Sequence, residues 1–211
     1  MRGIILCERS AVVRDKFRAM GHDFYSCDLE PCEGDPRWHL KGDIFYVFEG
    51  FASPLDFVGL HPECRYLTVS GFHWNYRKPE RAAKTDNALI FAKRCFAILE
   101  FVGRGYLENS VSILSTHVRK PDQIIQPYEF GEDASKKTCL WLKGLPLLKP
   151  TNRISGRCVE WPKGSGKFVE RWANQTDSGQ NRLGPSETRS MDRARTYPGI
   201  AQAMAQQWGN L

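Results

Sequence analysis

No apolar run in the 211 residues approaches the roughly 20 that a membrane-spanning helix needs, so no helical membrane protein is expected. The first apolar stretch stops at Cys7, before charge returns at Glu8 and Arg9. No secretory leader is therefore expected, and the seven cysteines fit a reducing, cytoplasmic compartment. Cys27, Cys32 and His39 lack a fourth ligand at zinc spacing, so no metal is expected. No internal repeat is present, which excludes solenoids and propellers.

What is present suits one domain with a full core: 41% of the residues are hydrophobic and 12% aromatic. The net charge of +6 is unevenly spread. Residues 1–60 hold 7 Lys/Arg and 10 Asp/Glu, residues 61–150 hold 14 and 9, and the remainder 9 and 5. A basic surface confined to the last two thirds fits a polyanion docking on one side, although scattered solvated charge fits the same numbers.

The first sixty residues alternate between strand and helix patterns. Residues 3–7 suit a buried parallel strand. Ser10 is placed to cap a helix in which Val12, Val13, Phe17 and Met20 recur at helical spacing, with Gly21 as its stop. Residues 22–27 form a second strand ending at Asp28, one half of a doubly wound sheet whose ligands sit beyond the carboxyl ends of the strands. Residues 29–42 are expected to be loop, 43–48 a short strand or turn, and 55–60 a strand running into His61-Pro62-Glu63-Cys64. Residues 68–79, with Phe72, His73, Trp74 and Tyr76, are expected to be loop, and Pro79 opens a long helix to about Val102. Tyr106-Leu107 is a brief strand reaching Glu108-Asn109-Ser110. Residues 123–126 and 138–143 are two strands joined across a polar turn. Beyond Pro150 the chain is polar, with 173–192 expected as a flexible loop, until residues 197–208 recover a helical pattern.

Glu8, Asp28, Cys64 and Glu108 all fall where strands of such a sheet end. An acid at the end of the second strand suits the ribose hydroxyls of a nucleoside cofactor, and Asp43 suits an adenine amino group. Arg65 and His61 near Cys64 favour its thiolate. A protonated Glu108 can donate to a ring nitrogen while its other oxygen accepts from an exocyclic amine. Surface carboxylates and a strand-end pair are the plainer explanation of each acid taken alone.

These elements, in this order, resemble the DNA cytosine-5 methyltransferases, especially their short phage-encoded members. The stretch from Ile4 through Phe17 and on to Asp28 is similar to the family's cofactor-binding unit. Gly42-Asp43-Ile44 is similar to its adenine-contacting turn, His61-Pro62-Glu63-Cys64 to its Pro-Cys nucleophile loop, and Glu108-Asn109-Ser110 to its Glu-Asn-Val motif. Residues 128–142 resemble its basic hairpin, with Lys136 and Lys137, and residues 197–208 its C-terminal helix.

The resemblance implies an α/β fold: a Rossmann-like class I methyltransferase sheet with helices on both faces and a short basic C-terminal extension. It divides the chain into a core over 1–150, a reduced target-contact region over 151–195 and a helix over 196–211 packing back on the core. It implies S-adenosylmethionine as cofactor and DNA as partner. Cys64 would attack C6 of an extruded cytosine while Glu108 holds its edge. Cys7, Glu8, Ser10, Asp28, Leu29, Asp43, Ile44 and His61 would bind the cofactor, and Arg65, Asn109, Lys136 and Lys137 the substrate. Glu8-Arg9-Ser10-Ala11 stands where the family has a glycine-rich loop, and Glu63 where it has proline, a carboxylate that disfavours the Cys64 thiolate. A catalytically silent DNA-binding relative and a C5-modifying enzyme of free pyrimidine nucleotides are the alternative expectations.

Overall fold

The computed structural model describes residues 1–51, 54–184 and 194–211. In chain order the elements are β1 (Arg2–Leu6), α1 (Val12–Ala19), β2 (Asp23–Asp28), β3 (His39–Lys41), α2 (Ile44–Glu49) and β4 (Phe57–Leu60). There follow α3 (Val69–Phe72), α4 (Pro79–Val102), β5 (Gly105–Ser110), α5 (Leu114–His117), β6 (Gln123–Ile125) and β7 (Thr138–Lys143). A hairpin of β8 (Arg157–Glu160) and β9 (Phe168–Arg171) precedes the final helix α6 (Pro198–Trp208).

Seven strands form one mixed sheet in the order β3-β2-β1-β4-β5-β7-β6. The pairs from β3 to β5 are parallel, and β7 runs antiparallel to both of its neighbours. Central strands of a parallel sheet are covered on both faces, which is why β4 is buried along its whole length and reads as an unbroken apolar run. Alternation then sorts side chains between two layers. Ile4, Leu6, Val58, Leu60, Leu107 and Trp141 share a cluster with Ile44 and Phe45 of α2 and Cys95 and Leu99 of α4. Ile5, Phe24, Phe57, Tyr106 and Leu140 share the other with Val13 and Phe17 of α1 and Met204 and Trp208 of α6. Among the described residues, no helix is long and apolar enough to cross a membrane.

Several expectations are corrected. The stretch from Ile44 is helix α2, not a strand or turn: Asp43 caps it by accepting from the Phe45 amide at 2.8 Å. The loop expected over 29–42 contains β3, which extends the sheet beyond β2. The loop expected over 68–79 holds α3 and a 3-10 turn, His73–Tyr76. The polar region after Pro150 contains the β8–β9 hairpin, and residues 185–192 of the expected flexible loop lie outside the described residues.

Ser10 does not cap α1. Ala11 holds the N-cap position with φ 61°, and the Glu8 carboxylate reaches past it to the helix amides. Cys7 also has φ 60°, so two non-glycine residues make the left-handed turns that link β1 to α1. Alanine tolerates this region at a cost of roughly 1–2 kcal/mol, and a β-branched residue tolerates it far less. Because Ala11 is also fully buried, Ala11→Val is expected to destabilise by about 3 kcal/mol or more, read as a lower urea midpoint at unchanged slope.

Candidate active site

Sheet register builds the site. Leu6 pairs with Cys27 on one side and Leu60 on the other, and Leu60 pairs with Leu107. One residue further along each strand therefore sets Asp28, Cys7, His61 and Glu108 in a row across the carboxyl edge of β2, β1, β4 and β5. Strand order reverses between β1 and β4, the crevice where open α/β sheets take their ligands.

On the α1/α6 side of this row lies a buried polar group. Tyr106 and Glu108, two residues apart on β5, share the face, and Tyr106 Oη and His61 Nε2 are 2.8 Å apart. Burial pushes the Tyr106 phenol above its ordinary range, with Glu8 and Glu108 adding to the shift, so it keeps its proton. Burial lowers the His61 pKa against a smaller opposing pull from Glu108, so the imidazole is neutral at pH 7. Thr196, just before α6, donates from Oγ1 to Glu108 Oε2 at 3.3 Å, and Glu108 itself is 8% exposed. Arg195 pairs with Glu33, and Lys136 Nζ donates to the Arg195 carbonyl at 3.4 Å, which ties the segment before α6 across this edge.

The Tyr106 ring needs Gly59 beneath it. A Cβ at Gly59 would lie 2.7 Å from Ile5 Cδ1 and 3.0 Å from two Tyr106 ring atoms. Gly59→Ala is expected to cost about 1–3 kcal/mol by overpacking, and to shift the His61 imidazole resonances by displacing its hydroxyl partner.

On the opposite side, the Asn109 Nδ2 amide donates to the Pro62 carbonyl at 2.9 Å and so fixes the loop after β4 to the end of β5. The Cys64 carbonyl accepts from the Leu67 and Thr68 amides, both at 3.0 Å, which makes the tight turn that carries the thiol. Cys64 is half-buried and Arg65 and Glu63 are exposed. Burial, the leading cause in each case, pushes the thiols of Cys27 and Cys95 up to about 12 and of Cys139 to about 11, with Cys7 also well above its ordinary range. Those four are thiols held for packing, inert as nucleophiles at neutral pH.

Glu8 is 2% exposed. Its Oε1 accepts from the Val13 amide at 2.7 Å and its Oε2 from Arg14 at 3.2 Å. Burial outweighs these bonds and pushes its pKa up to about 7. The Arg14 side chain, fully buried, donates to Ser26 Oγ at 3.0 Å, and Ser26 contacts His39 Nδ1 at 2.9 Å. Asp28 accepts from the Glu30 amide at 3.0 Å, and the Asp28 carbonyl accepts from Gly42 at 2.9 Å, bringing Asp28, Gly42 and Asp43 together at the end of β2. Both acids raise the Cys7 thiol through space, which sets them around the end of β1.

The expected residues are thus only partly gathered. Cys7, Glu8, Asp28, Asp43 and His61 line the β1–β2–β4 end, and Glu108, Asn109 and Lys136 the β5–β7 end. The Ile44 side chain is buried in the core beneath α2, Leu29 points outward at 66% exposure, and Lys137 is exposed. Cys27, Cys32 and His39 bond separately, to the carbonyls of Gly42, Gly34 and Glu30. Among the described residues no three His, Cys, Asp or Glu side chains converge to hold a metal. Two contributors went unnoticed in the sequence. Tyr106 had a signal, its i to i+2 spacing from Glu108; Thr196 had none.

Comparison of the chain with protein-family models and with curated proteins returns no match.

Proposed function

We propose that this protein is an S-adenosylmethionine-dependent methyltransferase that modifies C5 of cytosine in DNA through a covalent adduct on Cys64. The observation that carries the reading is the row of Cys7, Asp28, His61 and Glu108 at the sheet's switch point, with Cys64 in the turn that follows β4. The strand order, with β7 the reversed strand beside β5, supports a class I methyltransferase sheet as the finer description of the fold.

The donor set at the β1–β2 end fits this cofactor. Asp28 and Asp43 offer carboxylates to ribose and adenine, and the carboxylates there favour a cationic nucleoside. With the Glu8 carboxylate on the α1 amides, the anion site that a pyrophosphate cofactor needs is already taken. When bound, S-adenosylmethionine supplies an electrophilic methyl group. The Cys64 thiol, half-buried in its turn, would give its proton to solvent and attack C6 of the cytosine as the thiolate. Glu108, steadied by Thr196, would hold the pyrimidine edge and in its protonated form donate its proton to N3 as density is pushed there, which leaves C5 nucleophilic, and take that proton back when the adduct breaks down. After transfer the C5 proton leaves to water or a neighbouring base, and the thiolate departs from C6. Neutral His61, fixed by Tyr106, keeps the β4 end of the pocket free of a cation that would repel the sulfonium.

The test is incubation with methyl-labelled S-adenosylmethionine and DNA, alongside calorimetric titration of the cofactor. Label in 5-methylcytosine supports the reading. Failure of the cofactor to bind overturns it.

A further inference from the structure

We propose that the surface from Arg65 to Lys84 is a docking platform for single-stranded DNA, with unstacked bases lying against Trp74 and Tyr76 while the surrounding cations follow the phosphates. The proposal rests on the preceding reading for the target base alone; the strand state is argued from separate observations.

Residues 65–84 carry five cations, Arg65, Arg77, Lys78, Arg81 and Lys84, against one acid, Glu80. Elsewhere ten of the described cations pair with carboxylates, among them Arg37 with Asp35, Arg119 with Asp122, Lys143 with Glu100, Arg153 with Glu170 and Arg157 with Asp177. Among the described residues, none of the five in this stretch has a carboxylate partner; they gather on aromatic rings instead. Arg65, Arg81 and Lys84 approach the Tyr66 ring at 5.5, 5.2 and 5.8 Å, and Arg77 and Lys78 approach Trp74 at 5.6 and 5.8 Å. Positive charge is thus concentrated and left available to a polyanion.

Charge alone would serve any nucleic acid. The rings select the strand state. Trp74 is 42% and Tyr76 85% exposed, beside the cations. An exposed aromatic ring has nothing to stack on in a duplex, whose base faces are covered, whereas a single strand offers each face in turn.

The platform is also fixed to the site. The Cys64 carbonyl holds the Leu67 and Thr68 amides, the Val69 amide donates to Val111 at 3.3 Å, and Ile113 donates to Leu67 at 2.9 Å. The stretch therefore starts at the candidate nucleophile and is tied to the loop after Glu108 and Asn109. Arg81 Nη2 closes it by donating to the Arg65 carbonyl at 3.0 Å. A strand held here presents an already unstacked cytosine to Cys64, without the cost of extruding it from a helix.

The test is fluorescence anisotropy with one labelled oligonucleotide of about 15 nucleotides, offered single-stranded, as a duplex and as its RNA equivalent, to wild type and to Cys64→Ser. The single DNA strand is expected to bind both proteins alike and about tenfold or more tighter than the duplex. Tyr76→Ala and Trp74→Ala, at exposed positions, are each expected to weaken single-strand binding by about five- to hundredfold, with duplex binding unchanged. Lys78→Ala combined with Lys84→Ala should lower the slope of log affinity against log salt by about 1.4. Duplex or RNA binding equal to or tighter than single-stranded DNA overturns the proposal, as does indifference to both aromatic substitutions in a normally folded protein. Binding as expected without methyl transfer removes the enzyme reading and leaves this one in place; methyl transfer to duplex with no single-strand preference does the reverse.

Discussion

Cys64→Ser is expected to reduce methyl incorporation into cytosine by about a thousandfold or more, with cofactor and DNA affinities unchanged. The serine hydroxyl fits the same turn, since the bonds that shape it come from the Cys64 carbonyl and the Leu67 and Thr68 amides. What changes is the nucleophile: an alcohol is scarcely ionised at neutral pH, while a thiol is ionised to a few per cent and is intrinsically more nucleophilic. The other cysteines supply a control. Cys158 is exposed on β8, in the two-stranded sheet rather than at the end of a strand of the seven-stranded one, so Cys158→Ser should transfer methyl groups as wild type does. Loss of the C6–sulfur adduct, trapped on DNA carrying 5-fluorocytosine, should parallel the loss of rate. Unaltered incorporation by Cys64→Ser would exclude covalent catalysis.

The second large effect is on stability. Glu8 has a pKa of about 7 in the folded protein against an ordinary 4.5, because burial disfavours its charge. Below 4.5 the side chain is protonated folded and unfolded, and its full contribution is present. Between the two values the unfolded chain releases a proton that the folded one holds, so stability falls as pH rises, and it levels off beyond the folded value. The shift corresponds to about 3 kcal/mol. Thermal melts between about pH 5 and 8 should therefore show a falling midpoint for wild type and a flatter curve for Glu8→Gln, whose amide has no proton to lose in this range. Parallel curves for the two proteins would remove Glu8 as the cause. His61 works in the opposite sense: its lowered pKa makes stability fall as pH drops below 6.5, so it opposes the Glu8 effect over the same range, and the comparison with Glu8→Gln, which keeps His61, isolates the Glu8 contribution.

Much of the sheet was legible because buried parallel strands are written as short apolar runs that end in polar residues. Residues 3–7 and 55–60 fit that rule, and Glu8, Asp28, Cys64 and Glu108 stood out because each lies at or just beyond the end of such a run. Pro79 and Gly103 bracket α4, the latter at φ 77°, so the long helix was legible at both ends. The errors have physical causes too. The helix α2 is built from Ile44, Phe45, Tyr46, Val47 and Phe48, residues that prefer strands, and it is helical because Asp43 caps it and its apolar side packs on the sheet. Ser10 matched the usual cap chemistry, but the left-handed turns at Cys7 and Ala11 bring Glu8 to the helix amides instead. The Thr196–Glu108 bond joins residues 88 positions apart, and nothing local encodes it. No residue of β8 or β9 is buried, so burial imposes no apolar alternation on them to be recognised.

The packing of α6 on α1 bears on how the molecule assembles. Phe17 stacks on Phe24 at 4.2 Å, and Trp208 then lies against Phe57 and Tyr106, so one wall of the core is closed by residues from distant parts of the chain. Until α6 docks, the apolar side of α1 and the rings beneath it face water, and Thr196 is not yet beside Glu108. Contacts this remote in sequence are slow to form. The carboxyl edge of the sheet around Glu108 should therefore be among the last parts of the protein to become native on refolding, and a chain interrupted before Pro198 should aggregate rather than persist as a smaller folded unit.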